Sequence, residues 1–189
     1  MTPLVAVYDA CVLYPSFLRD FLVWLGHHGK QRGVLSAKWT GRIHGEWMRA
    51  VLRNRPDIRR SALQEKRRRM DRHVPGCRIR GYRRWERRLT LPDPNDRHVL
   101  AAALACVADV IVTFNIRDFP AAVLQPFGVT ALTPDDFVCR LMDSGIVVAA
   151  AAEQRAALSR PALSPAEYLD ALRRNRLPAV ADALPPEQI

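Results

Sequence analysis

The stretch Leu4-Val-Ala-Val-Tyr-Asp9 decides the fold, because it is a short and uniformly apolar run that ends at an acid. Such a run is typical of a β-strand that is buried on both faces of a parallel sheet. Two later runs, Val110–Val112 and Val129–Leu132, have the same character. Segments with helical spacing of apolar residues separate these strands. We therefore predict an α/β fold, a three-layer αβα sandwich around a central parallel sheet.

The second strand and the helix after it are predicted from a shorter signal. Val34 and Leu35 form a brief apolar pair. Ser36, directly after them, is a residue type that often caps the start of a helix. The helix that follows is expected to bury a face that carries Ile43 and Trp47.

Two later helices begin with a strong capping signal. Asp93 and Thr133 are each followed by a proline and, three residues on, by an acid, Asp96 and Asp136. This order of N-cap residue, first-turn proline and first-turn acid favours a helix N-terminus. We expect the first of these helices to continue through Ala108.

The last part of the chain differs in composition from the rest. An alanine-rich piece that begins at Ile146 gives way to Ser164-Pro-Ala-Glu167, a capping box at the start of an amphipathic helical stretch. We therefore predict an α/β domain over residues 1–144 and a helical C-terminal extension over residues 145–189.

The charge of the chain is concentrated in one segment. The net charge is +10, and the segment Arg53–Arg88 alone holds 15 Arg or Lys residues against 4 Asp or Glu residues. A field of this size attracts polyanions such as nucleic acids, although a solvated helical face would carry the same run. Within the segment we select Arg67, Arg68 and Arg69 as candidate RNA contacts.

Composition also indicates where the chain works. It is 49% hydrophobic and 25% charged, as in ordinary globular proteins, and no apolar run approaches the ~20 residues of a membrane helix. The first residues lack the basic start of a signal peptide, so we expect a cytoplasmic protein with no membrane partner. The four cysteines form no CxxC pair and are expected to be reduced core residues.

Acidic side chains follow the predicted strands, at the edge of a parallel sheet where ligands bind. Asp9 directly follows the first strand, and Asn115 and Asp118 follow the Val110–Val112 strand. Carboxylates that converge repel each other, and a divalent cation such as Mg²⁺ or Mn²⁺, which prefers oxygen ligands, relieves that repulsion. Such an ion can activate water and neutralise charge on a phosphodiester. The candidate acids are Asp9, Glu46, Asp96 and Asp118.

Each of these acids also has a purely structural explanation. Asp9 could begin a turn, and Glu46 could pair with Arg42 or Arg49 on the same helix. The two acids at the Asp93 helix start could cap it and complement its dipole, and the polar residues after the third strand could belong to a turn. Their order along an alternating α/β chain favours a shared site.

Four pieces of the chain form a recognisable pattern, which spans residues 4 to about 120. They read Tyr8-Asp-Ala-Cys11, Ile43-His-Gly-Glu-Trp47, Asp93-Pro-Asn-Asp-Arg-His-Val-Leu-Ala-Ala-Ala103 and Val110-Ile-Val-Thr-Phe-Asn-Ile-Arg-Asp-Phe-Pro120. In these pieces the chain resembles the PIN-domain family, and within it the VapC-type toxin ribonucleases of bacterial toxin–antitoxin pairs. The resemblance implies a Mg²⁺-dependent endoribonuclease with three or four acids in a small αβα sandwich, so residues 1–144 would be a PIN-like nuclease domain.

By motif position the resemblance also implies a catalytic set and a metal-binding subset. The catalytic set is Asp9, Glu46, Asp96 and Asp118. The metal ligands are Asp9, Asp96 and Asp118, and the ion is Mg²⁺, with Mn²⁺ as a substitute. The fourth position is ambiguous, because Asn115 and Asp118 both stand near it. We expect Asn115 to hydrogen-bond rather than to supply charge, and Asp93 and Thr113 to support the site.

The resemblance implies partners as well. These are an RNA substrate and a cognate antitoxin that places an apolar helix on the protein and a basic side chain in the acidic pocket. The apolar faces of the helices after Ser16 and Ser36 are candidate docking surfaces, or they are core. A homodimer is left open, and so is the choice among transfer, ribosomal and messenger RNA.

Two other functions compete with this one. A phosphatase of the haloacid-dehalogenase type also has an Asp after its first strand, but it needs a second Asp two residues later, where this chain has Cys11. A catalytically inactive PIN-fold module that binds RNA or a protein is the other. The acids argue against it, because a binder of polyanions gains nothing from an acidic pocket.

Overall fold

A computed structural model describes residues 2–159 and 162–189, and its centre is a sheet of four parallel strands. The strands are β1 (Leu4–Tyr8), β2 (Leu35–Lys38), β3 (Val110–Val112) and β4 (Thr130–Leu132). Their order across the sheet is β2-β1-β3-β4. Helices connect and cover the strands, so the predicted α/β sandwich with a central parallel sheet is confirmed.

The helices of the described residues account for most of the remaining chain. They are α1 (Ala10–Leu13), α2 (Ser16–Gln31), α3 (Gly41–Asn54), α4 (Arg60–His73), α5 (Arg83–Glu86), α6 (Arg97–Ala105), α7 (Ala121–Leu124), α8 (Pro134–Cys139), α9 (Ile146–Ala157), α10 (Pro165–Arg174) and α11 (Pro178–Ala183). Short 3-10 turns lie at Pro94–Asp96, Ile116–Asp118, Gln125–Phe127, Met142–Ser144 and Pro186–Gln188. Within this described part of the chain, no helix has both the length and the apolar character to span a membrane.

The core forms around β1, which pairs with β2 on one side and with β3 on the other. The last three residues of β1 and all of β3 are buried, as their uniformly apolar sequences predicted, whereas the edge strand β4 begins exposed at Thr130. Most of the apolar face of α2, including Phe21 and Leu25, is fully buried, and Phe17 is partly buried against the core. Of the two alternatives for this face, the burial supports a place in the core.

The predicted cap of the third helix is wrong. Ser36 lies inside β2, where the parallel ladder with β1 extends from Leu35 to Lys38 and carries the strand beyond its apolar pair. The cap is Thr40, whose hydroxyl accepts a hydrogen bond from the Ile43 N–H at 3.1 Å. The local sequence predicted a cap at Ser36, but the actual cap is four residues later because strand pairing keeps Ser36 in β2.

The helix α6 is shorter than predicted, because it ends at Ala105 and not at Ala108. Val107 adopts a left-handed conformation with a φ of 52°. The Ala108 N–H then donates to the Ala103 carbonyl at 2.9 Å and the Val107 N–H to the Leu104 carbonyl at 3.4 Å. This is a Schellman motif, whose left-handed position is normally a glycine. Because valine occupies this position, the sequence lacks the glycine that usually marks the end of a helix.

The C-terminal helices are anchored to the α/β core. The Gln154 side chain on α9 donates to the Phe17 carbonyl on α2 at 2.8 Å, and it accepts from the Tyr168 hydroxyl on α10 at 2.7 Å. The capping box of Ser164 and Glu167 is confirmed. A left-handed Gly145 precedes α9, and the boundary between residues 144 and 145 stays a prediction.

Replacing Val107 with glycine should stabilise the protein. The side chain is 83% exposed, so its removal costs little packing, whereas the left-handed backbone strains a β-branched residue by roughly 1–2 kcal/mol. We expect Val107→Gly to raise the free energy of unfolding in urea by about 1 kcal/mol. The control Val107→Ala keeps a Cβ and should gain less. A destabilised glycine variant would contradict the assigned cap.

Candidate active site

The candidate site lies at the carboxyl ends of β1 and β3. Between these two strands the sheet order β2-β1-β3-β4 has its switch point, because β2 lies on one side of β1 and the later strands lie on the other. The Asp9 N–H, which follows β1, donates to the Val112 carbonyl of β3 at 3.1 Å. This bond places Asp9 beside Thr113, and the Thr113 hydroxyl donates to Asp9 Oδ2 at 2.8 Å. Ligands of open parallel sheets bind at such a switch point, so the fold itself presents Asp9 at the place where chemistry is expected.

The Asp9 carboxylate is held by three donors and is only 4% exposed. Oδ1 accepts from the Ala10 N–H at 2.6 Å, so Asp9 also caps α1, and Oδ2 accepts from Thr113 and from the Cys11 thiol at 3.1 Å. Burial and then the charge of Asp9 raise the pKa of Cys11 to about 12, which keeps this thiol protonated as a donor. From the sequence we expected Cys11 to be a core residue, and its contact with the Asp9 carboxylate was not predicted.

A cleft of about 410 Å³ opens in front of Asp9. Four of the polar residues selected from the sequence line it: Asp9, Glu46, Asp96 and Asn115. It is also lined by residues that sequence reasoning missed, among them Tyr14, Arg53 and Asn54. The sequence offered one indication for two of them, because Arg53 and Asn54 lie on the same helix as Glu46.

The Asp96 carboxyl reports how close the acids stand to one another. Burial, and after it the negative charges of Asp9, Asp93 and Asp118, raise its pKa to about 7. Asp93 is at the same time the predicted N-cap, because its side chain accepts from the Asn95 N–H at 2.8 Å. Residues far apart in sequence are therefore electrostatically coupled at this cleft.

Glu46 differs from Asp96 because basic side chains contact its carboxylate. Its Oε1 accepts from Arg42 Nε at 3.1 Å and lies 3.0 Å from His98 Nε2. Burial alone would raise the pKa of Glu46, but the hydrogen bonds and charges of His98 and Arg42 lower it below its ordinary value. His98 is 1% exposed and was missed, although it is a lone polar residue on an otherwise apolar helix face.

The structure separates Asn115 from Asp118. Asn115 is exposed, lines the cleft and donates its N–H to the Thr113 hydroxyl at 3.0 Å. Asp118 ends the following 3-10 turn, is half-buried and does not line the cleft. In residues 2–159 and 162–189 no backbone N–H donates to the Asp118 side chain, so turn capping does not explain this residue, whereas its charge acts on Asp96.

The three arginines selected as RNA contacts lie elsewhere, on α4. Arg68 and Arg69 each pair with Glu65 at 3.2 Å, and none of the three lines the cleft. All four cysteines are unpaired thiols, but only Cys77 is buried, whereas Cys11, Cys106 and Cys139 are half-buried.

The donors at the cleft fit a hard divalent cation in their chemistry, because they are carboxylate and amide oxygens whose charges are uncompensated at Asp96. Nevertheless, no three His, Cys, Asp or Glu side chains among the described residues are grouped closely enough to hold a metal ion as they stand. An ion would have to draw the carboxylates together.

Comparisons with known proteins agree with this geometry. The PIN domain family model matches residues 5–117, and the VapC50 C-terminal domain model matches residues 134–186. A curated relative from Mycobacterium tuberculosis (strain ATCC 25618 / H37Rv), "Putative ribonuclease VapC50", is 52% identical over 48 residues. That alignment covers 25% of this chain and only 28% of the relative. No solved structure gives a significant match.

The PIN domain match covers more than half of the chain. It includes most of β1, all of β2 and β3, the residues that line the cleft and every acid selected from the sequence except Asp118. The four-stranded parallel sheet has the architecture that the resemblance implied. The chain therefore belongs to the PIN-domain family.

Proposed function

We propose that this protein is a metal-dependent endoribonuclease that cleaves RNA phosphodiester bonds and acts as the toxin of a toxin–antitoxin pair. The observation that carries the proposal is that Asp9 and Asp96 line one cleft, with Asp93 and Asp118 close enough for their charges to act on Asp96. Burial, and after it the charges of these acids, raise the pKa of Asp96 to about 7. Repulsion of this kind costs stability, and a divalent cation offsets it. Membership of a nuclease family supports the same reading.

The proposed metal ligands are Asp9, Asp96 and Asp118, with Mg²⁺ as the ion and Mn²⁺ as a substitute. When bound, the ion would supply activation of water and neutralisation of phosphate charge. The chain's own contribution at Asp9 is orientation, because donors from Thr113, Cys11 and Ala10 hold the carboxylate in place. Asp93 and Thr113 support the site and Asn115 offers a hydrogen bond to RNA or water.

Glu46 has a separate role in this proposal. His98 and Arg42 keep it ionised and occupy its Oε1, which leaves Oε2 as the acceptor for a proton or for a water molecule in the cleft. An ionised carboxylate beside the reacting phosphate is suited to orient the attacking water. His98 and Arg42 are positioning residues, since they act through Glu46.

The partners and the setting follow from the family. A cognate antitoxin would place a basic side chain in the acidic cleft, where the carboxylates would pair with it. We also propose a homodimer, a cytoplasmic location, and a division into a nuclease domain, residues 1–144, and a helical extension, residues 145–189.

Replacing either central acid should abolish cleavage while the protein remains folded. Asp9→Asn and Asp96→Asn each remove a proposed metal ligand, and we expect cleavage of single-stranded RNA with Mg²⁺ or Mn²⁺ to fall by at least about 100-fold. Glu65→Gln, an exposed acid on α4, is the matched control and should retain activity. Full activity in the Asp9→Asn protein would exclude this mechanism.

The same Asp96→Asn change should stabilise EDTA-treated protein. Because the folded state raises the Asp96 pKa to about 7, the stability linked to this group is present at low pH and is lost as pH rises through about 7. The variant should therefore exceed wild type by on the order of 1 kcal/mol at pH 8, reduced by solvent screening, and by less at pH 5. Added Mg²⁺ should stabilise wild type more than the variant. Equal unfolding curves at both pH values would contradict the coupling.

The two residues after β3 can be distinguished by their metal dependence. Asp118 is charged and can neutralise a cation, whereas Asn115 offers at most a weak carbonyl ligand or a hydrogen bond. We expect Asp118→Asn to raise the Mg²⁺ concentration for half-maximal cleavage more than Asn115→Ala does. The opposite order would assign the fourth position to Asn115, which lines the cleft.

A further inference from the structure

A second cleft, of about 630 Å³, is formed largely by arginines. It is lined by Arg42, Arg83, Arg84, Glu86 and Arg87. We call it the α5 cleft, because α5 contributes most of the lining. The helix α5 packs against α6, which begins directly after Asp96, so this basic surface adjoins the helix start that carries a proposed metal ligand.

Arg42 joins the α5 cleft to the catalytic cleft. Its Nε donates to Glu46 at 3.1 Å, and its Nη1 donates to Glu86 Oε2 at 3.2 Å. Its Nη2 donates to the Asn95 carbonyl at 3.3 Å. Glu86, the acid that lines the α5 cleft, is thus already paired, and the charges of Arg83, Arg84 and Arg87 are left without an acid within the cleft.

The arginines of α4 are in a different state. Arg68, Arg69 and Arg72 all lie 3.2 Å from Glu65, so one carboxylate partly balances them. Arg83, Arg84 and Arg87 are exposed, and no carboxylate among the described residues stands within ion-pair distance of them. Glu65 thus offsets part of the positive charge of α4, whereas no ion pair within the described part of the chain offsets that of Arg83, Arg84 and Arg87 at the α5 cleft.

An acidic catalytic cleft repels the phosphates of its substrate, so capture of RNA requires positive charge close by. Guanidinium groups suit this task because they bind phosphate oxygens with two parallel hydrogen bonds. We propose that Arg83, Arg84 and Arg87 form the subsite that holds RNA backbone phosphates beside the scissile bond. This inference rests on the proposed function, because it assigns a substrate path to that site.

The test compares two triple variants that each remove three positive charges from the same basic segment. One is Arg83→Gln with Arg84→Gln and Arg87→Gln, and the matched control is Arg67→Gln with Arg68→Gln and Arg69→Gln. Both are made in the Asp9→Asn background so that RNA is not consumed. Binding of a labelled single-stranded RNA is followed by fluorescence anisotropy over a series of salt concentrations, with unfolding midpoints as a check on folding.

The α5 variant should weaken RNA binding by about 10- to 100-fold. It should also flatten the plot of log K against log salt by about 2, the slope expected for three lost phosphate contacts on a single strand. The α4 variant should change the affinity by less than about threefold. Equal losses in both variants, or a larger loss in the α4 variant, would overturn the proposal.

Cleavage measurements separate this inference from the proposed function. In protein that retains Asp9 and can therefore cleave, the α5 triple variant should have a higher KM for RNA, with kcat within about threefold of wild type.

If wild type cleaves RNA but the α5 variant keeps the KM and the salt slope of wild type, the proposed subsite is wrong and the nuclease function stands. If wild type binds RNA through these arginines but does not cleave with Mg²⁺ or Mn²⁺, the subsite stands and the proposed catalysis fails. An α5 variant that loses only binding to an acidic antitoxin peptide would also overturn the subsite.

Discussion

The parallel pairing of β1 with β3 is the constraint on which the rest of the site depends. The register that pairs Tyr8 with Val112 makes Asp9 and Thr113 neighbours at the carboxyl ends of two central strands. The 2.8 Å hydrogen bond between their side chains then fixes the most buried acid of the cleft. Because β1 and β3 are buried, a shift of register would expose core residues. The packing of the core therefore fixes the position of Asp9.

Around this fixed point the protein treats its acids in two ways. Glu46 receives Arg42 and His98 as partners, which compensate its charge and keep its pKa low. Asp96 has no ion-pair partner among the described residues, and burial together with the charges of nearby acids raises its pKa to about 7. One acid is thus stabilised by the protein alone, whereas the other is left to be compensated by whatever binds in the cleft.

The C-terminal helices complete the fold, with α9 packed against α2 and α11 against α8. Gln154 connects α9 to the α2 backbone and to Tyr168 of α10, while the Asp135 carboxylate on α8 accepts from the Ala179 and Val180 N–H groups of α11. These hydrogen bonds join residues more than ten positions apart. The VapC50 C-terminal domain model matches residues 134–186, which include α8 to α11.

The sequence by itself determined the strands, the α/β class, most helix starts and the acids, because each depends on chemistry within a few residues: apolar runs, capping residues and a carboxylate after a strand. Only the tertiary structure decided that Thr40 rather than Ser36 caps α3 and that α6 stops at Val107, since a strand ladder and a left-handed backbone overruled local propensity. It also decided which charges are compensated. Arg42 meets Glu86 and His98 meets Glu46 across about 50 residues of chain, and ion pairs over such separations are set by packing, which no local pattern records.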